Sequence, residues 1–254
     1  MNKVTAIIPC FNEEIHLRGV LESVKWADEI MVVDSFSTDS SLSIAREYTD
    51  FIVQRAYENS ASQKNWAIPQ ASHDWILLVD ADERVTPELK TEIETVLKSP
   101  KADAYWIKRI NFFMGKEVKY SGLQNDKVIR LFKKTCRYEP LHVHAEIITT
   151  GVKVDWLKEK LTHNTFKSVA DYLKKIHRYA DWAARDYMKK TPKVTFFHLL
   201  VKPAFRFFKH FILKGGILDG RVGFIISSLT AWSVFLRYWK LMLLIENGEL
   251  KVEN

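Results

Sequence analysis

The sequence predicts a doubly wound α/β fold: a mostly parallel, Rossmann-like sheet flanked by helices, followed by a helical C-terminal extension. Three observations carry that prediction. Short apolar runs alternate with amphipathic ones through the first hundred residues, the βαβ rhythm of a parallel sheet. Three of the apolar runs end in polar, acidic residues, where a simple turn would need only Gly, Asn or Pro. From Ser168 onward the apolar positions recur at helical spacing.

The elements follow in order. Val4–Ile8 is a strand-length apolar run, and Glu14–Trp26 places Leu17, Val20, Leu21 and Val24 on one helical face. Glu29–Val33 is the second strand, with Thr38-Asp39-Ser40 offering cap oxygens to a helix over Ser40–Tyr48. Phe51–Val53 is the third strand, Ala61–Ala71 the third helix and Trp75–Val79 the fourth strand. Thr86-Pro87-Glu88 then sets a cap, a first-turn proline and an acid in the order that starts a helix. Trp66 and Trp75 are assigned to the core, and "AYWIKRI" reads as a further strand.

Composition narrows the class. The chain has 254 residues, 47% of them apolar and 27% charged, enough to bury a sizeable core. Cys10 and Cys136 stand far apart with no CxxC or Cys/His cluster, which argues against a disulfide framework or a structural zinc. "MNKVTAIIPC" lacks the apolar core and cleavage site of a signal peptide, so a cytoplasmic location is expected. Net charge is +7, with Lys and Arg crowding the C-terminal third, and that excess implies an anionic partner. These cations occur among bulky aromatics rather than in a recognised reader motif, which disfavours nucleic acid.

In an open α/β sheet the ligand lies beyond the carboxyl ends of the strands. Those ends are Pro9–Glu13, Asp34–Asp39 and Asp80–Glu83, and the last puts Asp80, Asp82 and Glu83 directly after a buried strand. Crowded carboxylates repel one another and resist desolvation, so a cation must hold them.

"IIPCFNEE", "VVDSFSTDSS", "ASQKNWAI" and "WILLVDADE", in that order and spacing, resemble the donor-binding half of family-2 inverting glycosyltransferases with the GT-A fold. The branch most similar includes the lipopolysaccharide-core glucosyltransferases. The resemblance is closest over residues 3–90 and thins beyond 166. It implies a catalytic domain over 1–166, with nucleotide-sugar binding in 1–100 and the acceptor and base in 101–166; the remainder, 167–254, reads from its own residues as a membrane-associating extension. It further implies that Asp80-Ala81-Asp82 is a DxD motif engaging Mg²⁺ or Mn²⁺ on the diphosphate of a UDP-sugar. Asp34 would contact the base or ribose, and Pro9 with Glu13 would wall the nucleoside. Lys64 and Asn65 would face the nucleotide, although Lys64 reads equally as a solvated helix cation.

An inverting transfer needs one further carboxylate as base. "RYEPLHVHAEIITT" offers Glu146, with Glu139 as the fallback and His144 as the orienting group. Relatives carry an acid directly after a His, whereas here Ala145 intervenes. As a strand, this stretch would put His142, His144 and Glu146 on one face. His163 is a metal ligand or a structural hydrogen bonder, and Trp106, Lys108 and Arg109 are placed to line a sugar pocket.

In the extension, Ser168 to Asp171 reads as a capping-box helix start. Arg206, Lys209, His210 and Lys214 fall on one helical face opposite Phe205, Phe208 and Ile212, the pattern of a helix lying in an anionic membrane surface. The uncharged run Val222–Leu236 is about fifteen residues, short of the roughly twenty that span a bilayer. The expectation is a cytoplasmic enzyme, peripheral on the inner face of the membrane, glycosylating a cell-surface glycan or glycolipid acceptor such as lipopolysaccharide core. Transfer to a polyprenyl phosphate, or a non-catalytic sugar-nucleotide scaffold, are the alternatives; a dead homologue would be expected to lose one of Asp34, Asp80 or Asp82.

Overall fold

The computed structural model describes residues 2–140, 145–166, 169–188 and 190–247. Four strands, β1 (Val4–Cys10), β2 (Glu29–Asp34), β3 (Ile52–Gln54) and β4 (Trp75–Leu78), run parallel in the order β3-β2-β1-β4. Between them lie α1 (Glu14–Val24), α2 (Ser41–Arg46) and α3 (Ser60–Ala67). The third helix stops earlier than its apolar spacing suggests. Ile68–Gln70 tightens to a 3₁₀ turn around Pro69, which has no N–H to continue an α-helix.

The remaining strands are β5 (Glu83–Val85), β6 (Ala104–Phe113), β7 (Lys116–Val118), β8 (Lys127–Lys133) and β9 (Val154–Phe166), with α4 (Pro87–Lys98) after β5. Their pairing is antiparallel: β8 on β4, β6 on β8, β7 on β6, and β5 on β9. Thr86 caps α4 as expected, its hydroxyl accepting from Leu89 N at 3.2 Å. The parallel strands are buried on both faces. Ile8, Val32 and Leu77 meet α1 and α4, while Ile7, Met31 and Leu78 meet α3, the pattern that period-two alternation gives in a covered sheet. Trp75 is core, but Trp66 lies at the surface beneath the Arg55 guanidinium, 5.5 Å from its ring.

The chain divides into two compact units, Met1–Ile110 with Asp126–His163, and Asn111–Asn125 with Asn164–Asn254. The second unit contains α5 (Val169–Met188), α6 (Lys202–Phe208) between the π-turns Phe197–Val201 and Lys209–Leu213, and α7 (Gly220–Glu246). Ala184 of α5 packs on Val234, Tyr238 and Leu241 of α7. Asp219 accepts from Lys119 N at 3.0 Å, Tyr120 N at 3.0 Å and the Ser121 hydroxyl at 2.7 Å, tying the 111–125 segment to the start of α7. Ser168, the expected cap of α5, lies outside the described residues.

At 27 residues α7 outruns the uncharged stretch because its cations find partners: Lys240 pairs with Asp181 at 2.5 Å and Arg237 lies 4.3 Å from the Tyr187 ring. No helix among the described residues is long and apolar enough to cross a membrane. Along 196–213, Phe205, Phe208, Ile212 and Leu213 are exposed while Arg206 and His210 are half-buried, so the apolar face points outward.

Candidate functional site

The site grows from the end of β4. Asp80, Asp82 and Glu83 follow the strand directly, and Glu83 is 0% exposed. Protein cations already hold two of the three. Arg130, a lone charge in the apolar run of β8, donates Nε to Glu83 at 2.9 Å and Nη2 to both Glu83, at 2.7 Å, and Asp80. Arg109 reaches Glu83 at 3.0 Å and Asp126 at 2.7 Å, and Lys64 reaches Asp80 at 3.1 Å. Three cations therefore face three carboxylates, and the group is neutral as a whole. Burial alone would raise the Asp80 carboxyl; Arg130 and Lys64 outweigh it and hold the group well below its ordinary range. Arg130 is correspondingly raised, burial working against it and Asp80 and Glu83 for it.

Asp82 is outside this group. It faces His163, whose Nε2 lies 3.4 Å from Asp82 Oδ2, because the β5–β9 register sets Glu83 opposite His163. Two ligands at about 2.1 Å from one ion and at right angles stand about 3 Å apart, so this pair fits two positions of a Mg²⁺ or Mn²⁺ shell. Among the described residues no cluster of three His, Cys, Asp or Glu could hold a metal. The rest of such a shell would come from phosphate oxygens and water.

Arg84 shapes the loop from beneath. It donates to the carbonyls of Ala81 at 2.7 Å, Glu83 at 2.6 Å and His16 at 2.8 Å, and a Cβ on Gly19 of α1 would come within 2.6 Å of its Nε.

The other predicted residues are distributed as follows. Lys64 is 7% exposed, so it is not the solvated helix cation that the sequence also allowed. Asn65 is turned away from the loop: its amide donates to Tyr138 O at 2.9 Å and accepts from Tyr138 N at 2.8 Å. Asn65→Ala is expected to cost about 1–3 kcal/mol in chemical denaturation, the penalty of leaving backbone groups unsatisfied. An unchanged midpoint would show that water replaces the amide.

Asp34 lies under its loop rather than on it. Its carboxylate accepts from Ser37 N at 3.1 Å and from the Gln54 amide at 2.9 Å, and the residue is 0% exposed. The loops after β1 and β2 are stitched together, Asn12 accepting from Thr38 N at 2.8 Å and Ser37 accepting from Asn12 N at 2.9 Å. Pro9 is the penultimate residue of β1, paired with Val33, and Glu13 N donates to the Ser41 hydroxyl at 2.8 Å. Phe11 and Phe36, on these loops, expose half their surface; Phe36 holds a left-handed φ of 61°, costly for a bulky side chain.

Glu146 is exposed, and its carbonyl accepts from Glu139 N at 2.9 Å. Of the expected strand over 142–146, Ala145 and Glu146 are described and carry no strand pairing, while Ile147 makes an isolated bridge to Tyr138. His142 and His144 lie outside the described residues. Arg109 belongs to the buried charge group rather than to an open pocket. Trp106 stacks on Trp156 with centroids 6.0 Å apart, and Lys127 lies 4.4 Å over it.

The family model described as glycosyl transferase family 2 matches residues 5–159, more than half of the chain. The chain belongs to this family. Over nearly its full length the glycosyltransferase is also similar to curated proteins. One is an uncharacterized glycosyltransferase of Rickettsia felis, 29% identical over 95% of this chain and 90% of that one. Another is the lipopolysaccharide core biosynthesis glycosyltransferase LpsC of Rhizobium meliloti, 25% identical over 92% and 93%. Among solved structures, S. aureus TarS 1–349 aligns over 97% of the glycosyltransferase and 92% of its own chain, with 15% identity and a TM-score of 0.48.

Sequence reasoning missed Arg130, Arg84 and Asp126. Arg130 left one signal, a single charge inside the apolar run "KVIRLF", which a buried strand admits only with a partner.

Proposed function

We propose that this glycosyltransferase transfers a sugar from a nucleotide diphosphate donor, a UDP-sugar, with inversion, to a cell-surface glycan acceptor of the lipopolysaccharide-core type. The observation that carries this reading is the Asp82–His163 pair, set apart from a charge group that is already neutral, at the carboxyl end of the parallel strands. A divalent cation at that pair would supply charge neutralisation on the departing diphosphate. Lys64 and Arg130 fix Asp80, and so fix the loop that presents Asp82. The stitched loops carrying Phe11 and Phe36 offer two exposed rings for the nucleoside base. LpsC, by its name a core biosynthesis enzyme, supports the acceptor class.

Glu146 takes the acceptor proton in this reading, with Glu139 as the fallback and His144 as the orienting group. Glu146→Gln is expected to keep donor affinity and to lower turnover by about 10²–10⁴-fold, with Glu139→Gln doing much less. The reverse ranking moves the base to Glu139. Little loss in either favours a polyprenyl phosphate acceptor, whose nucleophile is already ionised. Thermal stabilisation by UDP-, GDP- and dTDP-sugars, with and without Mn²⁺, tests the donor class by mass action. A product that retains the donor's anomeric configuration overturns the mechanism.

The enzyme works at the cytoplasmic face of the membrane in this reading, with its second unit on the anionic surface. Exposed apolar side chains and cations interleaved over 196–213 support that placement.

A further inference from the structure

Within the second unit, the helical stretch 197–213 and α7 enclose an open groove of ≈ 310 Å³. Leu199, Pro203 and Phe207 form one wall and Ala231, Trp232 and Phe235 the other, and the only polar residue in the lining is Ser228. That volume lies at the small end of ligand pockets, which run from about 300 to 1,000 Å³. It is an open trough between two helices, lined almost wholly by apolar side chains.

One end of the trough is cationic. Leu199 packs against the cluster that contains Tyr238, one helical turn beyond Phe235. Two cations converge on that tyrosine. Lys202 Nζ donates to its hydroxyl at 2.8 Å and lies 4.6 Å from its ring, and the Arg237 guanidinium lies 4.9 Å from the same ring. Among the described residues neither cation is joined to a carboxylate, and Arg237 Nε is buried without a hydrogen-bond partner. Two neighbouring cations with no carboxylate between them repel each other, and a buried donor without an acceptor is costly. An anion at this end would relieve both.

We propose that the second unit binds one anionic membrane phospholipid, its hydrocarbon chain in the trough and its phosphate at Lys202 and Arg237. The apolar length and the charged end are continuous, which is the pattern of a single amphiphile rather than of a free anion. The inference rests on reading this unit as membrane-facing, yet it is narrower, since it requires a saturable site for one molecule.

The test uses the full-length protein and monomeric single-chain lipids below their micellar concentration. Lysophosphatidate is compared with a monoacylglycerol of the same chain length, by native mass spectrometry and by quenching of tryptophan fluorescence with a brominated chain, since Trp232 lines the trough. The expected result is one lysophosphatidate per chain, bound at least about tenfold more tightly than the neutral lipid, the size of one charge-assisted hydrogen bond. Lys202→Gln should remove that preference and leave neutral-lipid binding as it was. Ala231→Trp, which fills the trough, should remove both, with circular dichroism confirming the fold. Equal binding of the two lipids, or uptake that never saturates, overturns the site. Pelleting with phosphatidylcholine–phosphatidylglycerol vesicles separates the two ideas: vesicle binding without saturable monomer binding overturns the site and leaves the membrane reading intact, and loss of both overturns both.

Discussion

Asp82→Ala is expected to abolish metal-dependent donor binding while leaving the fold intact. The substitution removes one of the two facing ligands, and Asp80 and Glu83 keep their arginine and lysine partners, so nothing in the buried charge group changes. Turnover should fall by about 10²–10³-fold, the size seen when one group stabilising transition-state charge is removed. His163→Ala should fall the same way, because it removes the other ligand. The measurement is thermal stabilisation by UDP-sugar with and without Mn²⁺, alongside turnover. Near wild-type turnover that is still lost on chelation would place the ion elsewhere and return Asp80 as the candidate ligand.

Arg130→Ala should do the opposite: damage the fold first. Among the described residues Arg130 is the one side chain bonded to both Glu83 and Asp80, and its removal leaves a fully buried carboxylate with only Arg109 and the Asp80 backbone N–H. Breaking a buried ion pair from one side costs about 3–5 kcal/mol, a large part of the stability of an ordinary domain. Urea denaturation reads it directly. A cost below about 1 kcal/mol would mean that water reaches Glu83 when the guanidinium is gone. The pH dependence has a definite sign. Asp80 is depressed from its ordinary 3.8, so its contribution is complete above that value and is lost only as pH falls below it through the lower folded value. Stability lost between pH 7 and pH 5 must therefore come from another group.

The first ninety residues were legible because each element is specified locally. Leu17, Val20, Leu21 and Val24 are the buried face of α1, and Thr86 and Pro87 start α4 where their chemistry says a helix starts. The DxD loop was legible as a site because its acids stand where a strand does not want them. What holds those acids was not legible. Arg130 lies 47 residues from Glu83, and only the β8–β4 pairing brings β8 beside the loop. Asn65 illustrates the same limit: its partner is 73 residues away, and no periodicity encodes a side chain clasping a distant backbone. On either side of 141–144 the chain pairs with itself, Glu139 N bonding to Glu146 O and Tyr138 bridging Ile147, contacts that no alternation of residue types encodes. In the second unit, the opposition of cations and aromatics was readable, but which set faces outward depends on packing against α7.

Gly19 sits inside α1, where glycine weakens a helix by up to about 1 kcal/mol relative to alanine. By the usual rule of protein engineering it is an obvious position to improve. Here the rule would misfire, since the missing methyl is the space that the Arg84 guanidinium occupies, and that guanidinium ties two carbonyls of the acidic loop to the His16 carbonyl of α1. Thermostabilising libraries that fill helical glycines would select, at this position, for a firmer helix over a displaced loop, and screens scored on melting temperature alone would carry the defect forward unseen.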